Sequence, residues 1–292
     1  MKKTLTYILL CCATALWGVS FIVTKELFLT ESAMSVTLLI TLRLFFASLV
    51  TIPSLLLFRQ LEPLRKADIK WFLLLAFCEP FIYNFMETSG VNLVSGSLAS
   101  VVVATIPIFV PFGMAAVYHE RVRPITLLGI LLSLLGISIM VMGERLTGSY
   151  QGLLFLSGAV AIAVAYTLVL VKVVDHYRPF TITAYQNLFG TLYYLPLMFC
   201  LDGTAFLQLS WSPKMILLLL LLGIFCSTLA YVCYNRGIRD LGATATVIFT
   251  NAIPVFSMIA ALAIGQESFS LFKLIGMAIV LLGVLLVQTV RR

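Results

Sequence analysis

The chain has 292 residues, 61% of them hydrophobic and only 11% charged, against roughly 25% charged in an ordinary soluble domain. That composition excludes a water-soluble globule and predicts an all-α polytopic membrane protein, its spans helical because bilayer hydrocarbon leaves no other partner for backbone polar groups. The formal net charge of +7 is no sign of nucleic-acid binding, since Lys and Arg collect in the cytoplasmic loops of membrane proteins.

Met1-Lys2-Lys3 precedes an apolar run that passes Trp17 and continues to Phe28 without a small-x-small cleavage site, so it reads as an uncleaved first span. A span needs about 20 apolar residues. Ten runs qualify, over 5–28, 34–58, 69–90, 95–117, 124–143, 150–173, 180–201, 212–236, 242–265 and 271–290. The longest polar connection, from Arg59 to Lys70, reads as a cytoplasmic loop. The N-terminus, the loops after spans 2, 4, 6 and 8 and the C-terminus carry fourteen Lys and Arg, including Arg291 and Arg292; the other face carries four, Lys25, Arg145, Lys214 and Lys273. This asymmetry predicts a multi-pass protein of the cytoplasmic (inner) membrane with both termini in the cytoplasm. The six cysteines lie within or beside apolar runs without metal-ligand spacing and read as small apolar filler.

The stretch from Ser97 to Met140 is written twice. At an offset of 147, Pro107 falls on Pro254, Glu120 on Glu267, Gly129 on Gly276 and Gly136 on Gly283, with ten identities over 44 positions and no gap. Lys25 and Lys172, and Gly90 and Gly237, keep the same offset. The repeat divides the chain into residues 1–145, spans 1–5, and residues 146–292, spans 6–10. Five spans is an odd number, so the second copy enters the membrane inverted. Inverted repeats favour alternating access to a central site.

Leu16-Trp17-Gly18 in span 1, Arg43 in span 2, Pro107-Ile108-Phe109 followed by His119-Glu120-Arg121, and Pro254 with Glu267 resemble the EamA family of the drug/metabolite transporter superfamily, as two tandem units. The proline-to-glutamate interval is thirteen residues in both copies. The resemblance implies a secondary transporter, an exporter of a small organic metabolite or drug-like solute, without naming the substrate. Val164 stands where the second copy would match Trp17, so the halves need not line a cavity alike.

Glu79 lies near mid-depth in span 3, where a charged side chain costs about 2.5–3.5 kcal/mol on insertion scales. With Tyr83 and Glu87, four and eight residues on, it shares one helical face. It is expected to titrate a proton or bind a substrate amine; a buried structural hydrogen bond is the competing reading. Arg43 is expected to pair with Glu79 or Glu87, as a static tie between spans 2 and 3 or, if unpaired, as a fork for a substrate carboxylate or phosphate. Trp17, Ser20, Asn84, Tyr166, Tyr185, Gln186, Asn187, Tyr231, Tyr234 and Asn251 are polar-capable groups inside apolar runs and must turn inward. Asn84 and Tyr231 are repeat-equivalent. Each serves as interhelical glue or as substrate lining.

Pro107 and Pro254 are expected to bend spans 4 and 9. Glu120, beside Arg121 and Arg123, is expected to close a loop salt bridge or cap the next helix. Lys25, facing outward, has Glu26 and Glu31 as candidate partners. Gly129 and Gly136, like Gly276 and Gly283, are seven apart and form a small-residue stripe suited to a scaffold contact or a homodimer face. No nucleotide loop, HExxH or nucleophile motif appears, and no aspartate or histidine lies at depth. The expectation is therefore no enzyme, no cofactor and no metal, with a small-molecule substrate and the lipid bilayer as partners. Proton coupling and facilitative uniport or a channel remain the two mechanisms in view.

Overall fold

The structure, a computed structural model, describes residues 2–94, 96–142, 148–263 and 270–289. Glu267, Arg145, Arg291, Arg292 and the 145/146 divide lie outside the described residues. Fourteen α-helices follow in order: α1 Lys2–Thr30, α2 Val36–Leu57, α3 Ile69–Ala76, α4 Tyr83–Leu93, α5 Gly96–Val103, α6 Ile106–Tyr118, α7 Pro124–Met140, α8 Tyr150–Val174, α9 Pro179–Leu207, α10 Pro213–Leu220, α11 Ala230–Leu241, α12 Ala243–Val247, α13 Ile253–Ala263 and α14 Leu271–Thr289. Among the described residues no strand occurs; Val94 and Gly148 form one isolated bridge.

Local chemistry sets the starts. Ser35, Ser149 and Ser212 cap α2, α8 and α10 by accepting from the backbone N–H three residues on, at 3.0, 3.0 and 3.2 Å. Prolines open α7, α9 and α10, where a missing N–H removes no helical bond. Among the described residues seven helical stretches are long and apolar enough to cross a membrane: Thr4–Thr30, Val36–Leu57, Ile69–Leu93, Val101–Tyr118, Tyr150–Val174, Pro213–Leu241 and Ala243–Ala260. Pro124–Met140 and Leu271–Val287 are apolar but shorter. α9 has 29 residues, but Gln186, Asn187 and Asp202 lower its mean hydropathy and it falls in neither group.

Four interruptions keep the 147-residue spacing. Phe77–Ile82 between α3 and α4 is a kink joining two helices, and Leu221–Leu229 between α10 and α11 is wound as π-helix. The first contains Glu79 at φ −140° and ψ 119°, an extended residue inside a helical rod. α5 gives way to α6 around Ala104 and Thr105, and α12 gives way to α13 through a 3₁₀ turn, Ile248–Ala252. Pro107 and Pro254 therefore sit in the first turns of α6 and α13, after a break, rather than bending a continuous helix.

α7 and α14 cross backbone to backbone. A Cβ on Gly136 would lie 2.6 Å from Val280 N and 2.7 Å from Gly276 O, and one on Gly129 would lie 2.7 Å from Gly283 O. Gly129 meets Gly283 and Gly136 meets Gly276, so the helices run antiparallel. Ser133, at the crossing point, donates its hydroxyl to Val280 O at 3.4 Å across the contact and to Gly129 O at 3.0 Å. The glycine stripe is thus consumed inside the chain and is closed to a second copy.

The connections at the two ends of the bundle are strapped down. At one end the 59–68 loop lies on the start of α9: Arg178 N donates to Glu62 Oε2 at 2.6 Å, Tyr177 hydroxyl to Asp68 Oδ2 at 2.7 Å, and Glu62 N to Thr181 Oγ1 at 3.3 Å. At the other end Lys214 Nζ reaches Glu26 Oε1 at 2.5 Å, and Ser210 donates to Glu31 through both its hydroxyl and its N–H. The acidic residues near Lys25 are therefore bonded to the segment before and within α10. Glu120 forms no ion pair among the described residues, and α7 begins at Pro124 with no side-chain cap from Arg123 before it. Glu120 instead lines a small cleft with Arg121, Arg123, Thr126 and Thr244.

Replacing Gly136 by leucine is expected to remove about 1–3 kcal/mol of stability, as overpacking does, read as a lower thermal unfolding midpoint in detergent. Gly203→Ala is the control, because a Cβ there meets nothing within 4 Å.

Candidate functional site

The kinked turn of the first half carries Glu79 into the centre of the bundle, 3% exposed. An extended residue followed by Pro80, which has no N–H to donate, leaves carbonyls there without their regular helical partners. Those openings are filled from α9: Gln186 Nε2 donates to Glu79 O at 3.0 Å, and the Tyr194 hydroxyl to Phe81 O at 2.7 Å. The Glu79 carboxylate meets the second half. Tyr231, at the start of α11, donates its hydroxyl to Oε1 at 2.5 Å, while Oε2 has no hydrogen-bond partner among the described residues.

The repeat-equivalent π turn has Cys226 in the place of Glu79. Its carbonyl accepts from Trp17 Nε1 at 3.2 Å, and its thiol donates to Leu16 O at 3.3 Å. The Trp17 indole packs edge-on to Tyr231, with centroids 5.1 Å apart, and against Tyr234 at 5.3 Å. The same turn presents Ser227, whose hydroxyl accepts a short hydrogen bond from Arg43 Nε.

Arg43 departs from its expected partners. Glu79 and Glu87 are the partners expected for it. Yet no described carboxylate lies within 4.0 Å of its nitrogens. A small hydroxyl on the facing helix has taken the place assigned to a carboxylate. Glu87 has a local partner instead, the Tyr83 hydroxyl at 2.9 Å.

The structure brings Trp17, Arg43, Glu79, Tyr83, Glu87, Tyr231 and Tyr234 into one region where α1, α2, α4, α11, the kink at Glu79 and the π turn meet. Among the described residues neither the Tyr166 hydroxyl, from α8, nor Gln186 Oε1 has a hydrogen-bond partner. Asn84 is half-buried beside Tyr83. Asn251 is fully buried, 0% exposed, in the 3₁₀ turn before α13, with both side-chain polar atoms unpartnered.

Other expected lining groups are committed elsewhere. Ser20 donates to Trp17 O at 2.7 Å in its own helix. Asn187 ties α9 to the π turn through Ser227 O at 3.3 Å and Thr228 Oγ1 at 3.2 Å. Tyr185 stacks on Phe189 and meets Phe72 edge-on. Sequence reasoning missed Ser227, Thr228 and Tyr194. Ser227 and Thr228 are adjacent hydroxyl residues that interrupt an apolar run, a signal that was available. Tyr194 looks like an interfacial aromatic and is not. Among the described residues no group of three or more His, Cys, Asp or Glu is arranged to hold a metal.

Comparison with known proteins follows this geometry. The profile of the EamA-like transporter family matches twice, over residues 4–142 and 150–289. An uncharacterized transporter of Bacillus subtilis (strain 168), YetK, is 26% identical over 295 residues, covering 97% of this chain and 86% of that protein. An uncharacterized transporter of Archaeoglobus fulgidus is 25% identical over 287 residues, covering 98% and 99%. A solved crystal structure shares the fold with a TM-score of 0.76 at 18% identity, covering 95% of this chain and 98% of that one. With both halves matched by one profile, a bundle of membrane-length helices and a buried carboxylate at its centre, the chain belongs to the EamA-like transporter family.

Proposed function

We propose that the protein is a ten-span secondary transporter that exports a small organic solute across the cytoplasmic membrane by alternating access, with Glu79 as the proton-coupling group. The ten spans are the seven long apolar stretches, the two shorter ones and α9. Helices of 17 and 19 residues still reach the lower end of the spanning range, about 17–25 residues. The antiparallel crossing of α7 with α14, and the family profile matched twice, support a chain of two inverted five-helix repeats. Arg59, Arg65, Lys66, Lys70 and Arg178 at one end of the bundle support a cytoplasmic location for that end and for both termini.

The observation that carries the reading is Glu79 itself. Its carboxylate is buried at mid-span, one oxygen held by Tyr231 and the other with no partner among the described residues. A static tie would use both oxygens, because an unmet buried acceptor costs about 1–3 kcal/mol. An oxygen left over in a polar, aromatic-walled region is a place for a proton or a cationic group. The kink at Glu79 and the π turn put backbone irregularity at the depth where the halves meet, and half-helix breaks of this kind line the binding sites of transporters.

Glu79→Gln is expected to abolish the pH dependence of solute transport in reconstituted vesicles. Unchanged rate and pH dependence would remove Glu79 from coupling and leave facilitative uniport or a channel as the mechanism. Tyr231→Phe removes a hydrogen bond to a charged group, about 1.5–3 kcal/mol, and is expected to slow proton-driven transport by about tenfold to a hundredfold. Measurement of initial rates against pH on both sides of the membrane checks both.

A further inference from the structure

We propose that the end of the bundle where α3, α6 and α8 meet carries a binding site for one anionic phospholipid, its headgroup phosphate on Lys70 and Lys172 and an acyl chain along the outer strip of α8.

Lys70 Nζ and Lys172 Nζ each lie 5.3 Å from the centre of the Trp71 ring, and Lys172 Nζ also lies 5.6 Å from the centre of the Tyr118 ring. Two ammonium groups thus share one indole, and like charges brought together repel unless an anion joins them. The protein supplies none. Among the described residues neither lysine forms an ion pair. The carboxylates of the 59–68 loop are used elsewhere, Asp68 by the Tyr177 hydroxyl and Glu62 by Arg178. Asp175, three residues past Lys172, is exposed and is not paired with it.

The rings fix the depth of the pair. The Tyr118 hydroxyl donates to Leu168 O at 2.7 Å, which holds the ring of α6 one turn before Lys172 on α8. Tryptophan and tyrosine settle at headgroup level in a bilayer, and a lysine stem lies along apolar surface while its ammonium reaches that level. Each ammonium is a compact charge with three donors on a flexible stem, so both can close on one phosphate.

Below the lysine there is room for a chain. α3 and α6 both pack on α8, yet a strip of α8 is incompletely covered: Ala161, Ala165, Leu168 and Lys172, at intervals of four, three and four. Two alanines make that strip shallow. The tail adds little selectivity, because lipid meets the whole apolar surface of the bundle; the headgroup decides. A phosphatidylcholine headgroup brings its own ammonium to the two already present. A headgroup with net negative charge compensates them, as in basic pockets between membrane helices generally.

The test is thermal unfolding of the purified full chain in detergent with added phosphatidylglycerol or phosphatidylcholine. Phosphatidylglycerol is expected to raise the unfolding midpoint in a saturable way, at a half-saturating mole fraction at least tenfold below that of phosphatidylcholine. Lys70→Gln and Lys172→Gln are each expected to raise that mole fraction about fivefold, the effect of one lysine at a membrane surface, and Lys172→Arg is expected to keep it. Lys66→Gln, which removes an exposed cation of the loop at the same end, is expected to leave it unchanged. Lys70→Gln decides if the Lys172 variant fails to fold. Equal responses to the two lipids, an unchanged phosphatidylglycerol response in folded Lys70→Gln or Lys172→Gln, or a loss in Lys66→Gln as large as in those variants overturns the proposal, the last because diffuse charge would then suffice. An equal rise with glycerol phosphate in place of the lipid overturns it too, since the occupant would be a free anion.

Discussion

A carboxylate at mid-span has to be met by the protein, since the bilayer offers it nothing. Around Glu79 that requirement organises parts of five helical rods. The kink that carries it loses regular backbone bonds, and α9 supplies the replacements through Gln186 and Tyr194. The carboxylate takes a hydroxyl from α11, which places Tyr231 against Trp17 and draws α1 into the same contact. Remove the acid and the reason for most of these polar placements goes with it. The apolar packing elsewhere, including the fully buried Leu10, Leu38, Phe72 and Leu170, asks for nothing so specific.

The two halves share their backbone plan and differ in its use. Both have an irregular turn, a broken rod ahead of a proline and a glycine-lined helix. At the equivalent of Glu79 stands Cys226, whose carbonyl accepts from Trp17 and whose thiol donates to Leu16 O. The equivalent of Ala104 is Asn251, fully buried in its 3₁₀ turn. One copy contributes the acid and the arginine, and the other contributes the hydroxyls that hold them. Charge and its supports have been divided between the repeats.

Much of this was legible in the residues. The 147-residue offset, the helical class, the breaks announced by Pro107 and Pro254, and the exceptional character of Glu79 all follow from single-chain arithmetic and the cost of polar groups in hydrocarbon. What was not legible depended on which rods touch. Arg43 looked bound to a carboxylate because a charge is conspicuous in sequence, whereas Ser227 is a small hydroxyl among leucines. Tyr185 and Asn187 carry the right groups, but their helix turns one toward Phe72 and Phe189 and the other toward the π turn. The kink at Glu79 is marked by Pro80, whereas the π turn at Leu221–Leu229 leaves no mark in a run of apolar side chains.

The crossing of α7 with α14 carries a history as well as a contact. Gly129 touches the repeat mate of Gly136, Gly136 touches the repeat mate of Gly129, and Ser133 reaches its own mate, Val280. That is the geometry of an isologous contact, in which the same patch serves both partners. Two identical half-length chains, inserted in opposite senses, would meet in just this way without any residue having to change. Elsewhere one copy is free to differ from the other, as Cys226 differs from Glu79. The glycines are not, because a new side chain on one strand of the crossing must be accommodated by the backbone of the other.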